Sequence, residues 1–386
     1  MQRYLALDFI RGCAILGILL LNIVGFGLPA AAYLNPAWQG EISLADAWTW
    51  AIMDGLAQLK FLTLFALLFG AGLYLQTPRG SRWISARLTL LVLLGFIHAV
   101  FFWEGDILLD YGLIGLIIWR MLREVPSDKA LIQTGTLLYL IGCGVLLVFW
   151  GISSPEPGRS WLPGAADIEY ESYWKLLGGW EAVQNRVNHL SSGLMALAAQ
   201  YGWQLAGLML IGAALMRSGW LKGEFSVQHY RRSAALLLTI GWLIAIPGIA
   251  AQWLSGWEFR WSGFLLQLPR DLASPFISLG YAALCFGFWP QIGETRFSYA
   301  IQCVGRMALS NYLLQTLICT TLFYRFNLFM KFDRLHLLTL VPAVWVVNIL
   351  FSVLWLRYFP QGPMEWIWRK LTRLAAGKPG QAPRVR

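Results

Sequence analysis

Apolar runs of about 18 residues or more, long enough to cross the ~30 Å hydrocarbon core of a bilayer, recur along the whole chain. Of its 386 residues, 58% are hydrophobic and only 13% are charged. A soluble domain typically carries about 25% charged residues. The pattern therefore predicts an all-α fold, a polytopic integral membrane helical bundle.

We expect about ten transmembrane helices from these runs. The first run lacks a small-residue cleavage site and further runs follow it, so we interpret it as a retained helix rather than a signal peptide. The predicted spans are 5–26, 47–76, 85–103, 107–123, 131–152, 195–216, 234–254, 273–290, 304–325 and 337–357.

Basic residues cluster in the loops that an even number of spans places on the same side as the N-terminus. The positive-inside rule then predicts that both termini are cytoplasmic. The net charge of +10 is therefore spread over short loops. It does not form a single patch, which argues against nucleic acid as a partner and leaves membrane lipids as the expected surroundings.

The domain organisation is simple. Residues 1–374 are predicted to form one transmembrane helical domain, and residues 375–386 a disordered cytoplasmic tail. Residues 153–194 form a long periplasmic loop whose second half has helical spacing with aromatics, typical of an interfacial helix. That helix either caps the bundle or contacts a substrate.

Polar side chains interrupt the first span, LDFIRGCAILGILLLNI (residues 7–23). At about 100° per residue, Asp8, Arg11 and Asn22 share one helix face, and Asn22 lies about 21 Å above Asp8. Ionisable groups inside a bilayer are costly unless paired or hydrated, so this face is predicted to point into the bundle. The alternative is an Asp8–Arg11 pair that only fixes the helix end, with Asn22 bonded to a neighbouring helix.

Further polar groups lie in the second and ninth spans. Lys60 is well inside the second span, where an ammonium needs a carboxylate, a carbonyl cage or an anionic ligand. Arg306, near the start of the ninth span, can bind a phosphate as a bidentate donor or simply anchor the helix. Asn311 and Gln315 follow at a spacing that places them on one helix face.

One of the four histidines, His98, lies clearly inside a span. Counted from Arg87, it sits about 16 Å into its helix, a depth comparable to that of Asn22. Histidine is suited to proton transfer near neutral pH, and a nearby carboxylate such as Asp106 would fix its tautomer. A helix–helix hydrogen bond is the competing interpretation.

Several catalytic motifs are absent from the chain. There is no Walker loop, Rossmann glycine pattern, HExxH or G-x-S-x-G, which argues against a primary pump, a zincin or an ordinary serine hydrolase. The five cysteines lie in or beside spans without metal-ligand spacing. We therefore expect no metal site and no disulfide framework.

Four segments together resemble the YeiB-type family of bacterial inner-membrane proteins, long classed as a domain of unknown function. They are LDFIRGCAILGILLLNI, KFLTLFALLFGAG, HAVFFWEGDILLDYGLIGL and GRMALSNYLLQT, with RYFPQGPMEWIWR closing the pattern. The similarity runs nearly from end to end. It implies a multi-pass protein of the bacterial inner membrane but names no reaction.

A more distant resemblance suggests a reaction. The first segment is similar to the start of the catalytic domain of heparan-α-glucosaminide N-acetyltransferase, a transmembrane acyltransferase, with Asp8, Arg11 and Asn22 at matching positions. The loop NPAWQG, which includes Asn35 and Trp38, resembles that enzyme's loop around its catalytic histidine. Asn35 stands where that histidine would be, so the base must come from elsewhere.

The resemblance implies that an acyl group moves from cytoplasmic acetyl-CoA or another acyl-CoA to a small-molecule or envelope-glycan acceptor outside, and that the protein forms a homodimer. On this hypothesis His98 is the base, Asp106 orients it and Asn22 stabilises the oxyanion. The remaining assignments form two sets. The coenzyme-binding set is Arg11, Lys60, Arg306 and Asp8, and the acceptor-binding set is Asn35, Trp38, Asn311 and Gln315.

Two other classes remain open. The same buried charges would suit a transporter or lipid-handling protein for an anionic solute, without chemistry. They would also suit a structural or regulatory membrane protein whose polar residues only pack helices. Binding of a thioester is the property that separates the acyltransferase from the transporter.

Overall fold

A computed structural model of the chain describes residues 4–125 and 127–377. The all-α prediction is confirmed, because these residues form helices and no strand. The helices are α1 (Leu5–Gly27), α2 (Leu44–Leu56), α3 (Lys60–Tyr74), α4 (Ser81–Phe101), α5 (Leu108–Glu124), α6 (Asp128–Ile152), α7 (Ala165–Leu177), α8 (Gly179–Ala196), α9 (Gly202–Arg217), α10 (Val227–Leu254), α11 (Phe259–Ser262), α12 (Leu268–Gly287), α13 (Trp289–Ile292), α14 (Arg296–Arg306), α15 (Ala308–Thr320), α16 (Arg334–Tyr358) and α17 (Pro363–Ala376).

The long helices cross the bundle in alternating directions and define its two ends. We call the end at which α1 begins, near Leu5, the near end, and the end at which α1 stops, near Gly27, the far end. Seven helical segments among the described residues are long and apolar enough to cross a membrane. They are Leu5–Gly27, Leu44–Arg79, Ser81–Phe101, Asp128–Ile152, Gly179–Arg217, Val227–Leu254 and Arg334–Tyr358.

The three other predicted spans are also helical but shorter or more polar. Span 107–123 is the 17-residue α5, and span 304–325 contains the 13-residue α15, which continues as a π-helical turn over Thr321–Arg325. Span 273–290 overlaps α12, whose first turn carries a buried arginine and a buried aspartate. Each of these shorter helices lies among the longer helices, whose apolar side chains surround it.

The second predicted span, 47–76, lies within the candidate membrane span Leu44–Arg79, but it is not one continuous helix. It is divided into α2 and α3, and Leu59 between them has a left-handed backbone with φ of 63°. A leucine rarely adopts this conformation. The break places Lys60 at the first residue of α3 instead of mid-helix.

Two glycines allow one pair of helices, α3 and α9, to cross at close range. A Cβ atom at Gly70 of α3 would overlap the carbonyl oxygen of Met209, and one at Gly212 of α9 would overlap that of Leu67. Small residues let membrane helices approach closely where packing, rather than water exclusion, drives association. The α3–α9 pair therefore forms a rigid centre around which the other helices pack.

The far-end segment 153–194 contains more helix than the sequence pattern predicts. Its second half forms α7 and α8, separated at Gly178 and Gly179, both of which have positive φ. At the other end of the chain, α17 runs through Ala376, into the segment predicted to be disordered. From residue 378 onward that predicted tail lies outside the described residues.

Replacing Gly70 with alanine tests the close crossing of α3 and α9. The added methyl must displace the Met209 backbone, and overpacking of this kind costs about 1–3 kcal/mol. We expect a lower melting temperature for Gly70→Ala in detergent. Gly72→Ala on the same helix is the matched control, because a Cβ there meets no atom within 4 Å. Equal melting temperatures for the two variants would contradict the crossing.

Candidate functional site

A histidine–carboxylate pair lies at the junction of α4, α5 and α15. The Nδ1 atom of His98 lies 2.7 Å from Oδ1 of Asp106, and the two side chains are 3% and 2% exposed. The Nε2 atom of His98 lies 3.0 Å from the hydroxyl oxygen of Thr316. Since Nδ1–H donates to the carboxylate, Nε2 is left to accept a proton from a hydroxyl.

The carboxylate of Asp106 is itself held in place by the backbone. Its Oδ2 atom accepts a hydrogen bond of 2.8 Å from the amide of Leu109, in the first turn of α5. The ring of Tyr312 lies beside the imidazole with 5.3 Å between centroids, and that of Phe102 lies 6.2 Å away. The imidazole is thus fixed in both tautomer and orientation, as proton transfer requires.

A cavity of about 370 Å³ opens toward the near end and extends to residues next to this pair. Its deep wall includes Ile107, next to Asp106, and Tyr312, one helical turn before Thr316. Apolar side chains of α1, α3 and α4, such as Ile15 and Phe65, form its sides. The volume falls in the range of small-molecule sites. We call this space the near-end cavity.

Five arginines surround the mouth of the near-end cavity; we call this group the arginine mouth. Its members are Arg11, Arg79, Arg87, Arg306 and Arg369. Glu365 is the one acidic residue among the described residues that line the cavity. Burial, together with the neighbouring positive charges of Arg79 and Arg373, lowers the pKa of Arg369. Positive charge is therefore concentrated here and suits a polyanionic ligand.

Helix α17 closes the near end and holds part of the arginine mouth. Glu365 accepts hydrogen bonds from the amides of Leu309 and Ser310 at 2.8 and 3.1 Å, in the first turn of α15. The Arg87 guanidinium stacks 3.4 Å from the centre of the Trp368 ring. A carboxylate at a helix N-terminus satisfies amides that have no partner within the helix. This contact fixes α17 to α15 next to the cavity.

A second cavity, of about 280 Å³, lies at the far end; we call it the far-end cavity. It is bordered by Phe102, by the α7–α8 region and by Thr320, one turn beyond Thr316. The pair formed by His98 and Asp106 therefore lies between the two cavities along α15. A ligand in either cavity would have to pass an aromatic ring, Tyr312 or Phe102, to reach the imidazole.

Buried ion pairs support the wall of the far-end cavity. The ammonium of Lys175 lies 2.9 Å from Glu104 and 3.0 Å from Glu171. Burial, the largest single effect, would raise the pKa of Glu104, but Lys175, Arg186 and a backbone hydrogen bond together lower it below its usual 4.5. Burial alone would lower the pKa of Lys175, but Glu104, Tyr324 and Glu171 together raise it above its usual 10.5. Glu104 and Lys175 are therefore both charged near neutral pH.

Several of the predicted site residues meet at the near-end cavity. Arg11 and Arg306 belong to the arginine mouth, and Asp8 pairs with Arg11 at 3.0 Å. Asn22 is buried on the face of α1 that carries Arg11 and Ile15. Among the described residues its side chain makes no hydrogen bond to another group. The polar stripe predicted on α1 thus faces the cavity at one end and continues toward the far end.

Other predicted site residues lie elsewhere. Lys60 donates a hydrogen bond of 2.6 Å to the carbonyl of Asp54, whose carboxylate pairs with Arg270 at 2.7 Å. Asn35 donates to the carbonyl of Trp161 at 2.9 Å and joins two far-end loops. These contacts tie the α2–α3 break and the loops together, and neither residue lines the near-end or far-end cavity.

The remaining predicted residues are engaged in packing. Trp38 belongs to a far-end cluster of buried apolar side chains. Asn311 donates to Ser352 at 2.8 Å and to the carbonyl of Met307 at 3.0 Å, and Gln315 donates to the carbonyl of Ile15 at 3.2 Å. Asn311 and Gln315 thus hold α15 against α16 and α1. None of these three residues lines either cavity.

The sequence analysis missed residues that the structure places at the site. They are Arg79, Arg87, Arg369, Glu365, Tyr312 and Thr316. Tyr312 and Thr316 have the same spacing as Asn311 and Gln315 but lie one position later, about 100° around the helix. The signal for α17 was Pro363 at its first residue, followed by an amphipathic segment. Arg79 and Arg87 carried no signal beyond their charge.

The fold and the site define the class of protein. The described residues contain seven apolar helical segments, a buried ion pair between Asp54 and Arg270, and loops at both ends. These features are characteristic of a polytopic integral membrane protein. A family model described as "Protein of unknown function (DUF418)" matches residues 215–375. A relative that is 64% identical over 98% of this chain shows that the chain belongs to the YeiB-type family.

Three relatives match nearly the whole chain. The chain is 64% identical over 377 residues to the uncharacterized protein YeiB of Escherichia coli (strain K12), covering 98% of each chain. It is 28% identical over 400 residues to the uncharacterized protein YxaH of Bacillus subtilis (strain 168), covering 97% of this chain and 95% of the relative. It is 25% identical over 386 residues to an uncharacterized 39.9 kDa protein of Bacillus acidopullulyticus, covering 96% and 94%. No solved structure matches the chain.

Acid should destabilise the protein through Glu104. Because its pKa is lowered in the folded state, its contribution to stability is present above its ordinary pKa of 4.5 and is lost as the pH falls through the lowered value. We expect Glu104→Gln to be about 3 kcal/mol less stable at pH 7, since Lys175 loses a buried partner, and to lose less stability below pH 4.5.

Melting temperatures of wild type and Glu104→Gln between pH 7 and pH 3 check this expectation. Glu156→Gln is the control, because Glu156 is an exposed far-end carboxylate. Equal melting temperatures for wild type and Glu104→Gln at every pH would show that the pair contributes nothing to stability.

Proposed function

We propose that the protein is a membrane-bound acyltransferase that takes an acyl group from acyl-coenzyme A at the near end and transfers it to an acceptor at the far end. The observation that carries this proposal is the line formed by the arginine mouth, the near-end cavity and the His98–Asp106 pair. The second cavity beyond His98 gives the acceptor a separate approach.

The near-end cavity matches the shape and charge of an acyl-coenzyme A donor. Its phosphates would bind at the arginine mouth, where guanidinium groups form paired hydrogen bonds with phosphate oxygens. Its thiol-bearing arm would extend between the apolar side walls. Thr316 lies about 12 Å along α15 from Ala308, which lines the cavity at the start of that helix, and such an arm spans this distance. The thioester would then lie close to Tyr312 and His98.

The geometry of His98 supports the role of general base. Its Nε2 atom already contacts the hydroxyl of Thr316 at 3.0 Å, the arrangement that an acceptor hydroxyl would need. In the reaction, Nε2 takes the proton of the acceptor hydroxyl as its oxygen forms a bond to the thioester carbonyl carbon. The carbon–sulfur bond then breaks, and the same proton passes from Nε2 to the leaving thiolate. Asp106 stabilises the imidazolium between these steps.

Asn22 is our candidate for oxyanion stabilisation. It lies on the face of α1 that carries the cavity-lining residues Arg11 and Ile15. Phe26, one turn further along that face, stacks on Trp103 with 4.0 Å between ring centroids. Since Trp103 belongs to the loop between His98 and Asp106, this face of α1 runs toward the catalytic pair. One amide donor at an oxyanion contributes about 3 kcal/mol to transition-state stabilisation.

The orientation follows from the distribution of charge. The near end carries the arginine mouth and the basic loops, and the positive-inside rule puts such an end in the cytoplasm. We therefore propose a protein of the bacterial inner membrane with both termini cytoplasmic. This orientation gives the near-end cavity access to cytoplasmic acyl-coenzyme A.

A transporter of an anionic solute is the second candidate, and the break between α2 and α3 is the observation that favours it. Transporters often bind substrate and coupling ions at discontinuous helices. Here, however, the ammonium of Lys60 bonds the Asp54 carbonyl at the end of α2. A tethered cation thus occupies the position that a coupling cation would take, and the acyltransferase is the better supported function.

Binding of acetyl-coenzyme A to the purified protein tests the donor site. Calorimetry in detergent should show binding that Arg306→Gln and Arg79→Gln each weaken about tenfold, as expected when one charge-assisted contact is lost. Arg120→Gln is the control, because Arg120 is exposed at the near end and does not line the cavity. Failure of a folded wild-type sample to bind would favour the transporter.

Loss of the base tests the chemistry separately from binding. With acetyl-coenzyme A and a bacterial envelope extract as acceptor source, wild type should release free coenzyme A thiol. His98→Gln should lower this rate by about 10²–10⁴-fold, the usual contribution of general acid–base catalysis, while coenzyme binding is retained. Full activity in His98→Gln would rule out His98 as the base.

A further inference from the structure

The far-end cavity has a chemistry of its own. Its polar lining includes Lys175, Arg186, Tyr324 and Arg325, and the described residues that line it include no acid. A cavity lined by cations suits an anionic ligand, provided that the cations are not already neutralised by the protein.

The cations of this cavity differ in how far the protein neutralises them. Lys175 is held by Glu104 and Glu171, and the Arg186 guanidinium lies 3.6 Å from Glu104. Arg325 is exposed and, within the described part of the chain, has no carboxylate partner. Its guanidinium therefore remains available for a phosphate or carboxylate.

A buried hydroxyl gives a second and independent indication of a ligand. Tyr324 is 7% exposed and lines the cavity. Its hydroxyl is buried and has no hydrogen-bond partner among the described residues. Leaving a buried polar group unsatisfied costs about 1–3 kcal/mol, so such a group is expected to have a partner in the functional state. A ligand oxygen in the cavity would provide one.

The π-helical turn that follows α15 brings these groups together. Over Thr321–Arg325 the backbone widens, and Thr321, Tyr324 and Arg325 all border the cavity. Single π-helical turns within α-helices often occur at functional sites. Because α15 also carries Thr316, the same helix connects this cavity to the His98 imidazole.

The rim of the cavity is apolar and open to the side of the bundle. Phe101, Phe102 and Leu317 line it and are 57%, 46% and 54% exposed. Large apolar side chains exposed on a membrane bundle face lipid. A ligand that enters by this route therefore carries acyl chains as well as an anionic headgroup.

We propose that the far-end cavity binds an anionic phospholipid, with its phosphate on Arg325 and a headgroup oxygen on the Tyr324 hydroxyl. Binding follows from this cavity alone. That the lipid is also the acyl acceptor rests on the proposed function, which needs a hydroxyl near His98. A phosphoglycerol headgroup supplies both the phosphate and the hydroxyl.

Binding of a short-chain phosphatidylglycerol to the full-length protein in detergent tests the proposal. Calorimetry should show binding of this lipid, and no binding of the diacylglycerol of equal chain length, which lacks the phosphate. Arg325→Gln should weaken binding about tenfold and Tyr324→Phe about threefold, as expected for a charge-assisted and a neutral hydrogen bond. Arg159→Gln is the control and should leave lipid binding unchanged, because Arg159 is an exposed far-end arginine that does not line the cavity.

Each other outcome has a definite meaning. Glycerol 3-phosphate binding as tightly as the lipid would show a site for free phosphate esters and overturn the lipid assignment. Loss of lipid binding in Arg306→Gln but not in Arg325→Gln would place the lipid in the near-end cavity and overturn the proposal. No binding by folded wild type would overturn the proposal.

The same samples separate this proposal from the proposed function. Acetyl-coenzyme A binding without lipid binding would remove the acceptor class and leave the donor site intact. Lipid binding without coenzyme binding would keep the lipid site and remove the acyltransferase.

Discussion

The interior of a bilayer supplies no hydrogen-bond partner, and this constraint divides the polar side chains of the bundle into two groups. In the first group the protein satisfies the side chain itself: Arg270 pairs with Asp54 at 2.7 Å, and Asn311 donates to Ser352 at 2.8 Å. These contacts fix the helices relative to one another. In the second group, which includes Arg325 and Tyr324, the polar atoms face a cavity. Only this second group points to a ligand.

Helix α15 connects the parts of the proposed site. Its first turn is held by Glu365 of α17 next to the arginine mouth, its middle presents Thr316 to His98, and its π-helical extension borders the far-end cavity. A movement of this helix would change both cavities together. The same helix therefore lines both cavities.

Sequence reasoning succeeded where a side-chain contact depended on local spacing. His98 and Asp106 are separated by a short connection, and the structure brings their side chains within 2.7 Å. It was less successful where a small change in helix geometry decided the outcome. A left-handed Leu59 separates Lys60 from the expected helix, and on α15 the residues one position after Asn311 and Gln315 face the imidazole. Nothing in a single sequence indicates which face of such a helix meets its neighbours.

The sequence by itself determined that the chain is a bundle of membrane helices, because the length and apolarity of the spans follow directly from bilayer thickness. It also showed that α1 carries a polar face, because helical periodicity alone brings Asp8, Arg11 and Asn22 together. Only the tertiary structure decided which charges were neutralised within the protein and which were left facing a cavity. That distinction depends on contacts between helices distant in sequence, such as His98 with Thr316 and Lys175 with Glu104, and no local pattern encodes them.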